Sequence, residues 1–188
     1  MLRLVCTLLL ALSLPVAAGA AEWRIDQGTQ VSVDVPWRGG RVEVQFPTLS
    51  GTVDFDEVHP ERAQAAITAR TGDATTGIAI ADSLLRGPGY LETARYPSIT
   101  FRLDRLTPTS KQTANVEGRI TLRGVTKPVS LDARVIRYAP AKDNPKRFEA
   151  GFAIEGSIDR TEFGSTAGLP EIPAELGFHV QLLLTSDI

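Results

Sequence analysis

The side chains best suited to chemistry in this sequence are two histidines and a scatter of carboxylates. His59 lies in a Val-His-Pro-Glu loop, and His179 falls between Phe178 and Val180. A catalytic or structural metal needs three or four convergent ligands. These two imidazoles would have to meet and recruit carboxylates, so surface histidines are the better reading. Asp159, Glu162 and Glu171 could form an acid–base pair. They stand near a strand end and in the loop beyond it, where acidic residues ordinarily form turns or face water. There is no His-Glu-x-x-His, no glycine-rich phosphate loop and no Gly-x-Ser-x-Gly elbow. Catalytic chemistry is not where the sequence is concentrated.

Composition narrows the classes further. The chain has 188 residues, 43% of them hydrophobic, with 22 acidic against 20 basic side chains. It has no basic excess to neutralise a phosphate backbone, and at 6% aromatic it has little to stack on bases. Nucleic-acid binding is therefore not expected. The hydrophobic fraction is too high for disorder, and the length suits one domain. Arg3, the apolar run Leu4 to Val16 and the small residues Ala18-Gly19-Ala20 predict a cleavable signal peptide over residues 1–20. The domain then occupies 21–188, and export points to the periplasm or the extracellular space. The apolar run is short for a membrane span, and no stable membrane insertion is expected. Cys6 and Met1 leave with the leader, so the mature chain carries neither a thiol nor a thioether.

The elements that would position any site follow from alternation. Ile99, Phe101 and Leu103 are separated by Thr100 and Arg102. Successive side chains of a strand point to opposite faces, so one face is apolar and the other wet. The same pattern covers Val31–Val35, Val42–Phe46, Leu49–Phe55, Val116–Leu122, Val129–Val135, Phe148–Ile158 and Leu176–Leu184, and more weakly Ala65–Ala69. One-sided alternation means antiparallel sheet. About nine runs joined by turn residues such as Arg38-Gly39-Gly40 and Asp143-Asn144-Pro145 predict an all-β sandwich or barrel. One segment breaks the period. Thr76 to Arg86 spaces Ile80 and Leu84 as a helix does, with Thr75 or Thr76 as cap and Gly87-Pro88 as stop. This short helix should lie across one mouth.

An outer-membrane barrel would turn its apolar face outward. That would crowd Arg102, Asp104, Glu117, Arg119, Arg123, Asp132 and Arg134 into a narrow lumen, at a cost only full pairing could offset. The soluble arrangement puts the apolar face inside. Gly51, Ala65, Ala69, Gly118, Ala133, Ala150 and Gly156 fall on that face. They either leave room for a guest or let the sheets pack closely; the sequence alone supports both.

The segment Asp82-Ser83-Leu84-Leu85-Arg86-Gly87-Pro88-Gly89-Tyr90 through Pro97-Ser98-Ile99-Thr100-Phe101 resembles the helix-to-strand signature of the bacterial YceI family. Gly118 through Leu131 is similar to that family's hairpin. Gly51–Asp56 and Ala150–Gly164 match it in order and spacing, so the resemblance runs from about Trp23 to Thr185. It implies an extended lipocalin-like antiparallel β-barrel of about eight strands with one short helix near a mouth. It also implies a secreted or periplasmic, non-catalytic protein that needs no cofactor or metal and holds a polyisoprenoid or quinone-like lipid in an apolar tunnel. Leu84 stands where the family often has His in an Asp-x-His-Leu-Arg pattern, and Gly89-Tyr90 where it commonly has Asp-Phe. A head-group contact through that His or Asp is therefore absent. Lys127 and Arg86 could steer an anionic head group toward the mouth. The expected tunnel wall is Val44, Phe46, Val53, Phe55, Ile67, Ile80, Leu84, Tyr90, Leu91, Ile99, Phe101, Leu103, Ile120, Phe152 and Phe178.

Overall fold

The computed structural model describes residues 22–37 and 39–187. The expected leader, its cleavage point after Ala20 and Arg38 of the first hairpin turn lie outside the described residues. The strands are β1 (Glu22–Ile25), β2 (Gln30–Trp37), β3 (Gly40–Gln45), β4 (Leu49–Asp54), β5 (Gln64–Arg70), β6 (Ser98–Pro108), β7 (Thr113–Leu122), β8 (Val125–Pro140), β9 (Arg147–Asp159) and β10 (Glu175–Asp187). The α-helix α1 spans Ala79–Leu85, and single 3₁₀ turns cover Pro60–Arg62, Thr71–Asp73 and Arg160–Phe163.

Every pairing is antiparallel, and the order β1-β4-β5-β6-β7-β8-β9-β10 returns to β1, closing a ring of eight strands. Closure removes the free edges that a sheet of this size would otherwise expose. The seam lies along β10, whose C-terminal half pairs with β1 and whose N-terminal half pairs with β2. Between β1 and β2 the chain breaks step at Asp26–Thr29. There the Thr29 hydroxyl donates to the Leu183 carbonyl and accepts from the Leu183 N–H, both at 3.0 Å. The Leu183 carbonyl also accepts from the Asp26 N–H at 2.8 Å, so the hydroxyl supplies the acceptor that the break takes from the Leu183 N–H. The hairpin β2–β3 continues past the ring as a flap at one end. Strand β1 was not expected from the sequence; at four residues it is too short for alternation to register.

The apolar face points inward and the charges point outward, as in the soluble arrangement. Arg102, Asp104, Glu117, Arg119, Asp132 and Arg134 are all exposed. Two shifts of register keep this true along the long strands, at Leu103/Arg105 in β6 and at Val135/Arg137 in β8. Without the first, strict alternation would turn Arg105 inward; the bulge instead leaves Asp104 and Arg105 both in water and returns Leu106 to the interior. Arg123 alternates with the apolar face of β7 but also pairs with Gly124 as turn residues do, and it sits in the β7–β8 turn at φ +50. It is nearly buried there, 2.9 Å from Glu92 Oε2.

The two barrel ends differ. At the end where β1 and β9 begin, Trp23 is 4% exposed and donates from its indole to the Phe55 carbonyl at 2.8 Å. Tyr138 packs between Trp23 and Phe148, with ring centroids 6.2 and 4.7 Å away. This aromatic cluster fills much of that end. At the other end β5, β7 and β9 finish, and α1, the tip of β2–β3 and the loops over 86–97 and 160–174 gather. Helix α1 starts later than the spacing predicts. Ile78 is its N-cap, and neither Thr75 nor Thr76 caps it. Their hydroxyls instead donate to the Asp82 carboxylate, at 2.7 Å each, beside a Thr76 N–H at 2.6 Å.

Candidate ligand-binding cavity

The interior is hollow. Side chains from all eight ring strands except β1, together with the β2–β3 hairpin, α1 and its following loop, surround a cavity of about 330 Å³. An apolar cavity of about half that size already stays dry and admits a small apolar guest, and binding sites for small molecules begin near this volume. Along β10 the wall runs from Leu176 to Leu184. At about 3.3 Å per residue and a strand tilt near 40°, that is roughly 20 Å of depth along the barrel axis. The shape is a tunnel rather than a bowl.

Fourteen of the fifteen residues expected on the wall are there: Val44, Phe46, Val53, Phe55, Ile67, Leu84, Tyr90, Leu91, Ile99, Phe101, Leu103, Ile120, Phe152 and Phe178. Ile80 is not. It is 58% exposed on the outer face of α1. The helix begins at Ala79, so the inward stripe is carried by Ala81, Leu84 and Leu85. Leu84 is at once part of the wall and 44% exposed, which places it at the rim. Gln64, also exposed, stands at the opposite end of the wall.

The small residues divide into two kinds. Ala65, Ala69 and Ala133 face the cavity and leave it room. The glycines do something else. A Cβ on Gly118 would lie 2.5 Å from the Phe101 ring, and one on Gly156 would lie 3.1 Å from the Phe178 ring and 2.4 Å from Leu131. These glycines create the depressions into which aromatic rings lean, so the rings line the tunnel without blocking it. At Gly51 φ is +145 and a Cβ would strike the Ala66 carbonyl at 2.0 Å, so that glycine serves a close approach of β4 to β5. Ala150 is 1% exposed and belongs to the packed end beside Leu184, not to the wall.

Sequence reasoning passed over several wall residues, the most unusual being Arg160. Its parity could have found it: Phe152, Ile154, Gly156, Ile158 and Arg160 follow one face of β9 and its extension. Arg160 is 4% exposed. Its Nε donates to Pro173 O at 2.9 Å, Nη1 to Ser165 O at 2.8 Å and Ala167 O at 2.9 Å, and Nη2 to Ile172 O at 2.7 Å. One guanidinium thus ties the whole 165–173 loop to the barrel rim. Burial pulls its pKa down from the ordinary arginine value, with opposing contributions from Tyr90 and Asp159. The same parity, Val31-Val33-Val35, brings Trp37 to the wall from β2.

The charged candidates disperse. His59 and His179 are about half exposed and stand beside surface carboxylates. No cluster of three metal-ligating side chains occurs among the described residues. Asp159 accepts from the N–H of Thr161 at 2.8 Å, closing the 3₁₀ turn after β9; the Thr161 hydroxyl and then this N–H lower its pKa. The Arg86 guanidinium is held by the Gly72 and Ala74 carbonyls at 3.0 and 3.1 Å, and Lys127 lies 3.6 Å from Glu162. Neither is placed to steer an anion.

Comparison with known proteins agrees with this geometry. A family model described as the YceI-like domain matches residues 23–185. Protein YceI of Salmonella newport is 31% identical over 161 residues, which is 81% of this chain and 81% of that one. Among solved structures, BcnA of Burkholderia cenocepacia superposes with a TM-score of 0.75 at 20% identity, covering 85% of this chain and 98% of its own. The YCEI protein of Campylobacter jejuni gives 0.72 at 21% identity, over 79% and 87%. A polyisoprenoid binding domain from Saccharophagus degradans, implicated in plant cell wall breakdown, gives 0.65 at 14% identity, over 88% and 99%. These structural likenesses establish the fold. With the family model spanning nearly every described residue and a relative above 30% identity, the chain belongs to the YceI-like domain family.

Proposed function

We propose that the protein holds one long apolar chain of the isoprenoid class, such as a quinone tail, inside the barrel, and that it stores or carries this lipid in the periplasm without transforming it. The observation that carries the reading is the tunnel itself: a cavity of about 330 Å³ whose wall is almost wholly aliphatic and aromatic. A structural neighbour described as a polyisoprenoid binding domain supports the class of ligand, and the leader read from residues 1–20 supports export. The wall offers no carboxylate and no imidazole among the described residues, which supports a site for contact rather than proton transfer.

Hydrocarbon burial gains roughly 0.8 kcal/mol per CH₂-sized group. A twenty-carbon chain offers on the order of 15 kcal/mol gross, most of it offset by immobilisation. Selectivity then comes from the bore and length of the tunnel rather than from many hydrogen bonds. Solvent extraction of the protein purified from its native host, followed by mass spectrometry, should yield one prenyl-type lipid per chain. Protein that carries no lipid and also refuses added prenyl alcohols contradicts the proposal.

A further inference from the structure

The polar groups of the tunnel wall gather mainly at one end. Thr76, Tyr90, Arg160 and Ser165 all lie at the helix end, whereas Gln64 alone supplies an amide at the other. Not all of these groups are available to a guest. The Thr76 hydroxyl is bound to Asp82. Arg160 has five N–H donors, of which four are spent on the carbonyls of the 165–173 loop. The second N–H of Nη2 has no partner among the described residues, and the adjacent Asp159 carboxylate is turned to Thr161.

Tyr90 is a second open group. Its main chain is fixed, because Arg123 Nη1 donates to its carbonyl at 2.9 Å while Arg123 Nη2 reaches Glu92 at 2.9 Å. Its hydroxyl oxygen borders Gly168, 3.1 Å from where a Cβ on that residue would stand. It makes no hydrogen bond to a described residue. Phenolic hydroxyls placed against apolar surroundings ordinarily find a partner. Here the hydroxyl and a guanidinium with one donor to spare share the same end of an otherwise greasy tunnel.

We propose that the Tyr90 hydroxyl, with the remaining Nη2–H of Arg160, donates to a single oxygen acceptor on the polar end of the bound chain. This rests on the apolar-chain reading above and adds an orientation to it: head toward α1, tail toward Phe55 and Gln64. Because both groups donate, the head must present an acceptor, such as a ring carbonyl, an ether or a hydroxyl oxygen. The buried cation is held by four backbone carbonyls, with the Asp159 carboxylate beside it turned to Thr161, and an electron-rich head adds a further favourable partner.

Binding of three twenty-carbon probes to the full domain tests this: phytane, geranylgeraniol and geranylgeranyl methyl ether, measured by calorimetric titration on the wild-type protein and on Tyr90→Phe. The ether can accept but not donate. Tyr90→Phe should weaken the alcohol and the ether by about three- to tenfold, the range of one neutral hydrogen bond, and leave phytane unchanged. Equal loss for phytane would show that Tyr90 merely packs, and no loss for the ether would remove the donor role; either result overturns the subsite. A wild-type protein that takes up phytane but shows no Tyr90 effect sinks the subsite alone. Uptake of no probe at all removes the apolar-chain reading and the subsite with it.

Discussion

Two alanines on the inward face of the barrel distinguish a hollow interior from a filled one. Ala133 on β8 borders the cavity with Leu131 and Val116, whereas Ala150 on β9 is 1% exposed and packed against Trp23 and Leu184. Replacing each in turn by Phe adds the same ring to the two places. At position 133 the ring enters open space. It buries on the order of 100 Å² more apolar area than the methyl, worth up to about 2.5 kcal/mol at 25 cal/mol per Å². Residual burial in the unfolded chain reduces that to about 1–2 kcal/mol. At position 150 there is no void, and overpacking costs about 1–3 kcal/mol. For a domain of this size the melting temperature should rise by about 2–8 °C for Ala133→Phe and fall by about 2–12 °C for Ala150→Phe. The assay is thermal unfolding of ligand-free protein followed by circular dichroism, paired with titration of an apolar solvatochromic dye. Ala133→Phe should weaken the dye at least tenfold, because its ring occupies the middle of the tunnel. Equal destabilisation by both substitutions, with dye binding untouched, would refute a hollow core.

Other expectations follow from the same geometry. Arg160→Met strands four carbonyls that one guanidinium satisfied, and should cost about 3–5 kcal/mol in a denaturation series; Arg160→Lys should restore little of this, since an ammonium lacks the planar fork. Asp82 is held below the usual carboxylate range first by the Thr76 hydroxyl and N–H, then by Thr75 and Arg86. Its contribution to stability is therefore present above its ordinary value near pH 4 and is lost as pH falls through the depressed folded value. Thermal unfolding at pH 5 and pH 3 should show a larger drop for wild type than for Asp82→Asn. Ile80→Glu should leave both stability, within about 0.5 kcal/mol, and lipid uptake unchanged, while Leu84→Glu should impair uptake, because only Leu84 reaches the tunnel rim.

Period-two alternation was enough to read the antiparallel sheet and most of the wall, since in a closed antiparallel ring inward parity and cavity contact are nearly the same property; the choice of barrel over sandwich rests on the family resemblance. Alternation misled where parity and contact part. Ile80 follows helical spacing with Leu84, but it sits in the first turn of α1 and is 58% exposed, while Leu84, one turn on, reaches the rim. Gly118 and Gly156 have inward parity yet supply seats for rings rather than open volume, which depends on how Phe101 and Phe178 tilt. Strand β1 is too short to show a pattern, and its role in closing the ring depends on the far end of the chain. Arg160 obeys the parity rule, but a cation is not expected inside; only the four carbonyls of the loop that follows it explain its place.

The tunnel is tested most directly by native mass spectrometry of the delipidated domain against a ladder of prenyl alcohols of increasing length. One chain should bind per protein, with affinity climbing at each added isoprene unit until the roughly 20 Å of depth is filled and levelling off thereafter. Absence of any one-to-one adduct along the ladder, or affinity indifferent to length, would contradict a barrel built around a hydrocarbon chain.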